Sequence, residues 1–128
     1  MALRLLLDTH PLVWFLIDRK RISERLMVTL VDPANAVYVS AVAVWEVTIK
    51  VGIGKLSLPL DELEAIIVES GFGELPVTSA HALEVRHLPL IHRDPFDRLL
   101  LAQARHERLT LVTRDPTVRR YPIDTLWA

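Results

Sequence analysis

The segment His92-Arg93-Asp94-Pro95-Phe96-Asp97-Arg98 sets two carboxylates three residues apart, directly ahead of the helix-forming run Leu99-Leu100-Leu101-Ala102-Gln103-Ala104. Asp is a favoured N-cap and proline fits the first helical position, so Asp94 is read as N-cap, Pro95 as N1 and Asp97 as N3. Both carboxylates then share one turn at the positive end of the helix dipole. Three further acids follow apolar runs. Asp8 comes directly after Leu3–Leu7, Glu46 two turns beyond Ser40 and the run Ala36–Val39, and Asp115 just after Leu109–Val112. Carboxylates gathered at one point repel unless a cation joins them. An all-oxygen donor set in a chain without cysteine suits Mg²⁺ or Mn²⁺ rather than zinc.

The elements that must position these residues follow from the same pattern. Short apolar runs alternate with helical segments, which predicts an α/β fold with a mostly parallel sheet. Strands are expected at Leu3–Leu7, Ala36–Val39, Leu75–Val77 (near an edge, because of Pro76), Leu109–Val112 and Ile123–Leu126. Helices are expected from Pro11 to Ile17 with Thr9 or His10 as cap, from Glu24 to Val31 behind Ser23, and from Ala41 to Val51 behind Ser40. Others are expected from Asp61 to Gly71 with a capping-box-like start, from Ala80 to Val85 behind Thr78 or Ser79, and from Pro95 to Glu107. The Ala41–Val51 segment is apolar nearly all round and is expected to be deeply buried. In an open parallel sheet, loops at the carboxyl ends of the strands form the binding crevice. The helix before the Leu109–Val112 strand starts at that same edge, so Asp8, Glu46, Asp94, Asp97 and Asp115 converge there.

Each acid also has a local explanation. Asp8 fits a turn, Asp115 an N-cap before Pro116, Asp97 a response to the helix dipole, and Asp94 mainly a cap. Glu46 fits an ion pair with Lys50 four residues on. The convergence, not any single residue, favours a metal site. His10 and His92 flank it and are candidates for contact with phosphate or substrate. His81, His87 and His106 are read as surface or helix-packing residues, and Trp14, Trp45 and Trp127 as core or interface. Four glycines in 128 residues form neither a P-loop nor a dinucleotide fingerprint.

Length and composition bound the rest. A chain of 128 residues with 51% hydrophobic content is expected to form one domain, residues 1–128, with one core. No apolar run is long enough for a membrane span and the start is too short for a signal peptide, so a cytoplasmic protein is expected, with no membrane partner. The net charge of −1 excludes little. If four acids line a metal site, 15 cations face 12 remaining acids, a balance of +3.

The motifs Leu5-Leu6-Leu7-Asp8-Thr9-His10, Ser40-Ala41-Val42-Ala43-Val44-Trp45-Glu46, Ile49-Lys50-Val51-Gly52-Ile53-Gly54-Lys55-Leu56, His92–Leu100 and Leu111-Val112-Thr113-Arg114-Asp115 span nearly the whole chain in order. In this the chain resembles PIN-domain proteins, specifically VapC-type toxins of VapBC toxin–antitoxin pairs. The resemblance implies a three-layer α/β/α sandwich and a Mg²⁺- or Mn²⁺-dependent endoribonuclease. Its acidic quartet would fall on Asp8, Glu46, Asp97 and Asp115, which would also be the metal ligands. Asp94 would be an accessory acid, with Thr9, Ser40 and Thr113 as small polar neighbours. It implies a homodimer held inactive by a cognate antitoxin. Arg93, Arg98 and Arg114, with Arg119 and Arg120, are candidates for holding the RNA backbone.

Three other classes compete. A haloacid-dehalogenase-like phosphatase also places Asp after the first strand, but wants a second Asp where this chain has His10. A response-regulator receiver wants paired acids there and a late lysine. A non-catalytic module using the acidic pocket to bind a basic peptide fits the same residues.

Overall fold

The computed structural model describes residues 2–128. Five parallel strands form one sheet: β1 (Arg4–Leu7), β2 (Ala36–Ser40), β3 (Gly73–Leu75), β4 (Thr110–Thr113) and β5 (Thr125–Trp127), in the spatial order β3-β2-β1-β4-β5. The six α-helices are α1 (Thr9–Ile17), α2 (Glu24–Val31), α3 (Ala41–Gly52), α4 (Leu63–Glu69), α5 (Ser79–Glu84) and α6 (Pro95–Glu107). Every strand pairing is parallel, so the expected mostly parallel sheet is wholly so among the described residues.

Alternation along the strands builds a three-layer sandwich. Leu5 and Leu7 face a core shared with Leu12, Phe15, Leu26, Val47 and Ile67 of α1 to α4. Leu6 and Leu111 face the opposite core with Leu100, Leu101 and Ala104 of α6. Successive strand side chains point to opposite faces, so a strand covered on both sides reads as an unbroken apolar run. The chain winds outward from β1 through β2 to β3, then returns to place β4 on β1's other flank. The strand order reverses between β1 and β4, which opens a crevice at their carboxyl ends.

Local differences from expectation have local causes. The β3 strand lies at the predicted edge but occupies Gly73–Leu75, ahead of Pro76 rather than across it, since proline cannot donate to the ladder. Helix α1 begins at Thr9, because Asp8 itself caps it by accepting the Thr9 N–H at 2.8 Å. The expected capping box at Asp61 does not form; a 3₁₀ turn over Leu60–Glu62 leads into α4 instead. The largest correction concerns α3. Only Val42, Ala43 and Val47 are buried, while Trp45, Ile49 and Ile53 are exposed. An apolar sequence does not by itself require burial; this helix packs one face and presents another apolar face to solvent. No helix among the described residues is long and apolar enough to cross a membrane.

A buried polar chain crosses the second core. The Ser40 hydroxyl donates to Gln103 Oε1, and the Gln103 amide nitrogen reaches the Pro76 carbonyl at 3.3 Å and His81 Nδ1 at 3.4 Å. His81 completes a capping box with Thr78 and meets Glu107 through Nε2 at 2.9 Å. His81 is thus a helix-packing residue, as expected, though wholly buried. Gln103→Leu leaves the buried Ser40 O–H without its acceptor. It is expected to cost about 1–3 kcal/mol in urea unfolding, the penalty for an orphaned buried polar group; an unchanged midpoint would show that the network contributes nothing.

Candidate functional site

The register brings the predicted residues to one edge. Leu7 pairs with Val39 on one side and Val112 on the other, so Asp8, Ser40 and Thr113 stand level at the carboxyl ends of β1, β2 and β4. Asp8 is 5% exposed. Its Oδ1 accepts the Thr9 N–H and its Oδ2 the Thr113 hydroxyl, each at 2.8 Å. Burial raises its pKa; the bonds from Thr113 and Thr9 oppose that, and the charge of Glu46 adds to it.

Glu46 joins through Thr9, whose hydroxyl donates to Glu46 Oε1 at 2.8 Å. Its other oxygen pairs with Lys50 at 3.0 Å, one helical turn on. The helix-surface ion pair and the approach to the site therefore coexist, one on each carboxylate oxygen. Asp115 lies past β4 with its N–H on the Thr113 hydroxyl at 3.1 Å, and its Oδ1 accepts the Thr117 N–H at 2.8 Å. It is not a helix N-cap, since the 3₁₀ turn over Val118–Arg120 starts from Thr117; Asp115 instead closes an Asx turn two residues on. Ser40 turns away from the acids: it caps α3 through the Val42 N–H and gives its proton to Gln103.

The first turn of α6 takes the predicted geometry. Asp94 Oδ1 accepts the N–H groups of Phe96 and Asp97, at 2.9 and 3.1 Å, with Pro95 at the first helical position. Asp97 is clamped by His92, whose Nε2 lies 3.0 Å from Oδ2, while His92 Nδ1 meets the Tyr121 hydroxyl at 2.7 Å. Arg98 fastens the clamp by donating to Tyr121 Oη at 3.0 Å and to the Pro89 carbonyl at 2.9 Å. Its guanidinium is thus engaged inside the protein, whereas Arg93 and Arg114 are exposed. Desolvation, opposed by the His92 bond and aided by the charges of Asp8, Asp94 and Asp115, pushes Asp97 up to about 6. The charges of Asp8, Asp94 and Asp115 thus reach Asp97, and that of Glu46 reaches Asp8. Among the described residues, however, no three acidic or histidine side chains stand at the spacing of a closed coordination sphere.

The Glu46–Lys50 ion pair expected from the i+4 spacing is present. Sequence reasoning missed Tyr121 and Gln103 as parts of the site's support; neither had a signal, since each meets its partner across the fold. His10 does flank the site, exposed and stacked on Trp14 with ring centroids 6.3 Å apart.

A family model described as the PIN domain matches residues 5–124. No individually curated protein is similar enough in sequence to match. Solved structures share the fold. A chain of VapBC2 from Rickettsia felis bound to a promoter DNA fragment superposes with a TM-score of 0.75 at 17% identity, over 98% of both chains. DNA-bound VapBC from Salmonella typhimurium gives 0.69 at 18% identity, over 98% of both. FitAcB from Neisseria gonorrhoeae gives 0.68 at 23% identity, over 95% of this chain and 96% of that one.

The elevated pKa of Asp97 yields a stability prediction. Between pH 4 and 6 the unfolded chain releases this proton first, so the group's favourable contribution, complete below pH 4, is lost as pH rises through about 6. A shift from 3.8 to about 6 corresponds to at most about 3 kcal/mol. Asp97→Asn removes that dependence. The stability of the variant relative to the parent, measured by urea unfolding in EDTA, is expected to improve by about 2–3 kcal/mol from pH 4 to pH 7.5. A pH-independent difference would show that Asp97 is not destabilised by its surroundings.

Proposed function

Since the chain belongs to the PIN-domain family, we propose that it is a Mg²⁺- or Mn²⁺-dependent endoribonuclease acting as the toxin of a toxin–antitoxin pair. One observation carries the reading: Asp8 and Asp97, far apart in the chain, are both desolvated at the switch point of a parallel sheet, close enough that the charge of Asp8 acts on Asp97. Burying like charges is costly, and proteins concentrate such groups where chemistry uses them.

The donor set fits a hard divalent cation, being all carboxylate with hydroxyls beside it. Asp8, Asp97, Asp115 and Glu46 would hold it. When bound, the ion supplies neutralisation of the phosphodiester charge and a lowered pKa for an attacking water. The remaining work falls to the chain. Thr113 and the Thr9 N–H fix both oxygens of Asp8, and the Thr9 hydroxyl fixes Oε1 of Glu46. His92 holds Asp97 Oδ2, with Tyr121 and Arg98 behind it. Asp94 tunes Asp97 by charge while capping its helix. Arg93 and Arg114 are the exposed cations proposed to meet the RNA backbone, and Arg98 acts from within. In-line attack by water leaves a 5′-phosphate and a 3′-hydroxyl.

The VapBC complexes named above are of the pair type that the sequence motifs resemble, which supports an antitoxin partner for this chain. The exposed apolar face of α3, with Trp45, Ile49 and Ile53, supports a protein–protein contact. A cognate antitoxin and a homodimer are the partners proposed.

Purified protein is expected to cleave RNA with Mg²⁺ or Mn²⁺ and to be silenced by EDTA, with Asp8→Asn losing at least a hundredfold in rate. Cleavage that survives EDTA would refute the metal mechanism. Co-expression with a neighbouring reading frame is expected to relieve growth arrest and to yield a co-purifying complex. Arrest that persists alongside every adjacent frame would remove the antitoxin.

A further inference from the structure

The same edge of the sheet carries a group that the carboxylate chemistry does not use. Trp127 ends β5 and pairs in register with Thr113. At one interstrand spacing of about 4.8 Å per step, it stands about 10 Å from the strand that delivers Asp8. Two guanidiniums lie on its indole: Arg119, with Cζ 4.7 Å from the ring, and Arg114 at 5.4 Å. Arg114 is also tied to the Ala128 carbonyl. Beside Trp127 a groove of about 260 Å³ runs between β5 and α2, lined by Leu126, Leu26, Ser23, Thr29 and Arg25.

Neither Arg25 nor Arg119 lies within ion-pair distance of an Asp or Glu carboxylate among the described residues, whereas Arg114 is held by the Ala128 oxygen. Elsewhere Arg21 and Arg105 do have acidic partners. A guanidinium laid on an aromatic ring is ordered without being neutralised, so its N–H donors stay available to an anion. Trp127 also leaves part of its ring in solvent.

We infer that this edge is a second binding site: a subsite for a single-stranded flank of the RNA substrate, with Arg119 and Arg25 on its phosphates and Trp127 against a base. The inference rests on the ribonuclease reading above. RNA fits better than an acidic protein segment because a nucleotide offers both a phosphate and a planar ring, whereas an acidic side chain leaves the exposed indole without a partner. Continuity favours it too, since a strand held at Asp8 and Asp115 need cross only β4 to reach Trp127.

The test uses the full-length chain carrying Asp97→Asn, to prevent cleavage, and a fluorescein-labelled single-stranded oligoribonucleotide of about a dozen nucleotides. Anisotropy titrations across a salt series compare this protein with Arg119→Gln and Arg25→Gln, both exposed positions, and with Trp127→Phe and Trp127→Leu. Each arginine variant is expected to raise Kd severalfold and to lower the slope of log K against log salt by about 0.7, one phosphate contact on a single strand. Trp127→Phe should keep most of the affinity and Trp127→Leu should behave like Arg119→Gln, with circular dichroism confirming the fold. In the active background, Arg119→Gln should raise KM more than it lowers kcat. If the parent cuts RNA while the variants keep the same Kd, slope and KM, the subsite is wrong and the ribonuclease reading stands. If the parent neither binds nor cuts RNA with Mn²⁺ present, both fall. If the variants lose affinity for a polyglutamate peptide but not for RNA, the surface belongs to an acidic protein and the subsite is refuted.

Discussion

The hydrogen bond from the Thr113 hydroxyl to Asp8 joins residues 105 positions apart and sits at the seam where the strand order reverses. A carboxylate this deeply buried is tolerable only if its oxygens are satisfied, and two donors do that: the N–H that starts α1 and the hydroxyl that ends β4. Both donors require β1 and β4 to end level. The Asp8 N–H bonded to the Val112 carbonyl at 2.9 Å fixes that level directly. A one-residue slip would turn Thr113 to the other face and leave Asp8 without a partner. Register, helix start and acid position are therefore one constraint, and Glu46 and Asp115 inherit it through Thr9 and Thr113.

The first turn of α6 works under a different balance. The dipole and free N–H groups of a helix start favour negative charge, and Asp94 uses them fully. Asp97 shares that field, yet its pKa rises because desolvation and three neighbouring acids outweigh what the helix start and His92 provide. Holding such a group in place takes rigid support. His92 cannot turn away while Tyr121 holds its other nitrogen, and Tyr121 is itself buried and bonded to Arg98. The destabilised carboxylate and the braced histidine belong together, as expected where activity depends on a strained constellation.

Much of this was legible from the residues because the deciding interactions are local. Asp94, Pro95 and Asp97 took their cap, N1 and N3 positions because one turn of helix decides them. Ser23, Ser40 and Thr78 cap as expected for the same reason, and the unbroken run Leu5-Leu6-Leu7 announced a strand covered on both faces. What failed or stayed hidden was set by tertiary context. The apolar α3 was expected to be buried, but composition does not say whether another element covers each face; Phe96 of α6 touches Trp45, yet Trp45, Ile49 and Ile53 all stay exposed. Gln103 looked like a polar residue within a helix-forming run, yet it is a wholly buried link between Ser40 and His81. Tyr121 and His92 are 29 residues apart and meet only because the loop before α6 folds onto the turn before β5.

Charge distribution gives the last step. With a net charge of −1 the chain exerts little long-range attraction on an anionic polymer, so its charges must act by placement. They are segregated at one edge. The acids crowd the β1–β4 seam, while Arg114 and Arg119 lie on Trp127 one strand further out, Arg119 without an acidic side-chain partner among the described residues. An anionic strand meeting this edge is repelled by bare carboxylates and attracted by the arginines, so it can settle only in a register that keeps its phosphates off the acids. On the proposed reading, a divalent ion among the acids would reverse the local sign and make the seam the best place for one phosphate. Segregation over a few strand spacings would then couple cation binding to substrate register, which evenly mixed surface charge would not do.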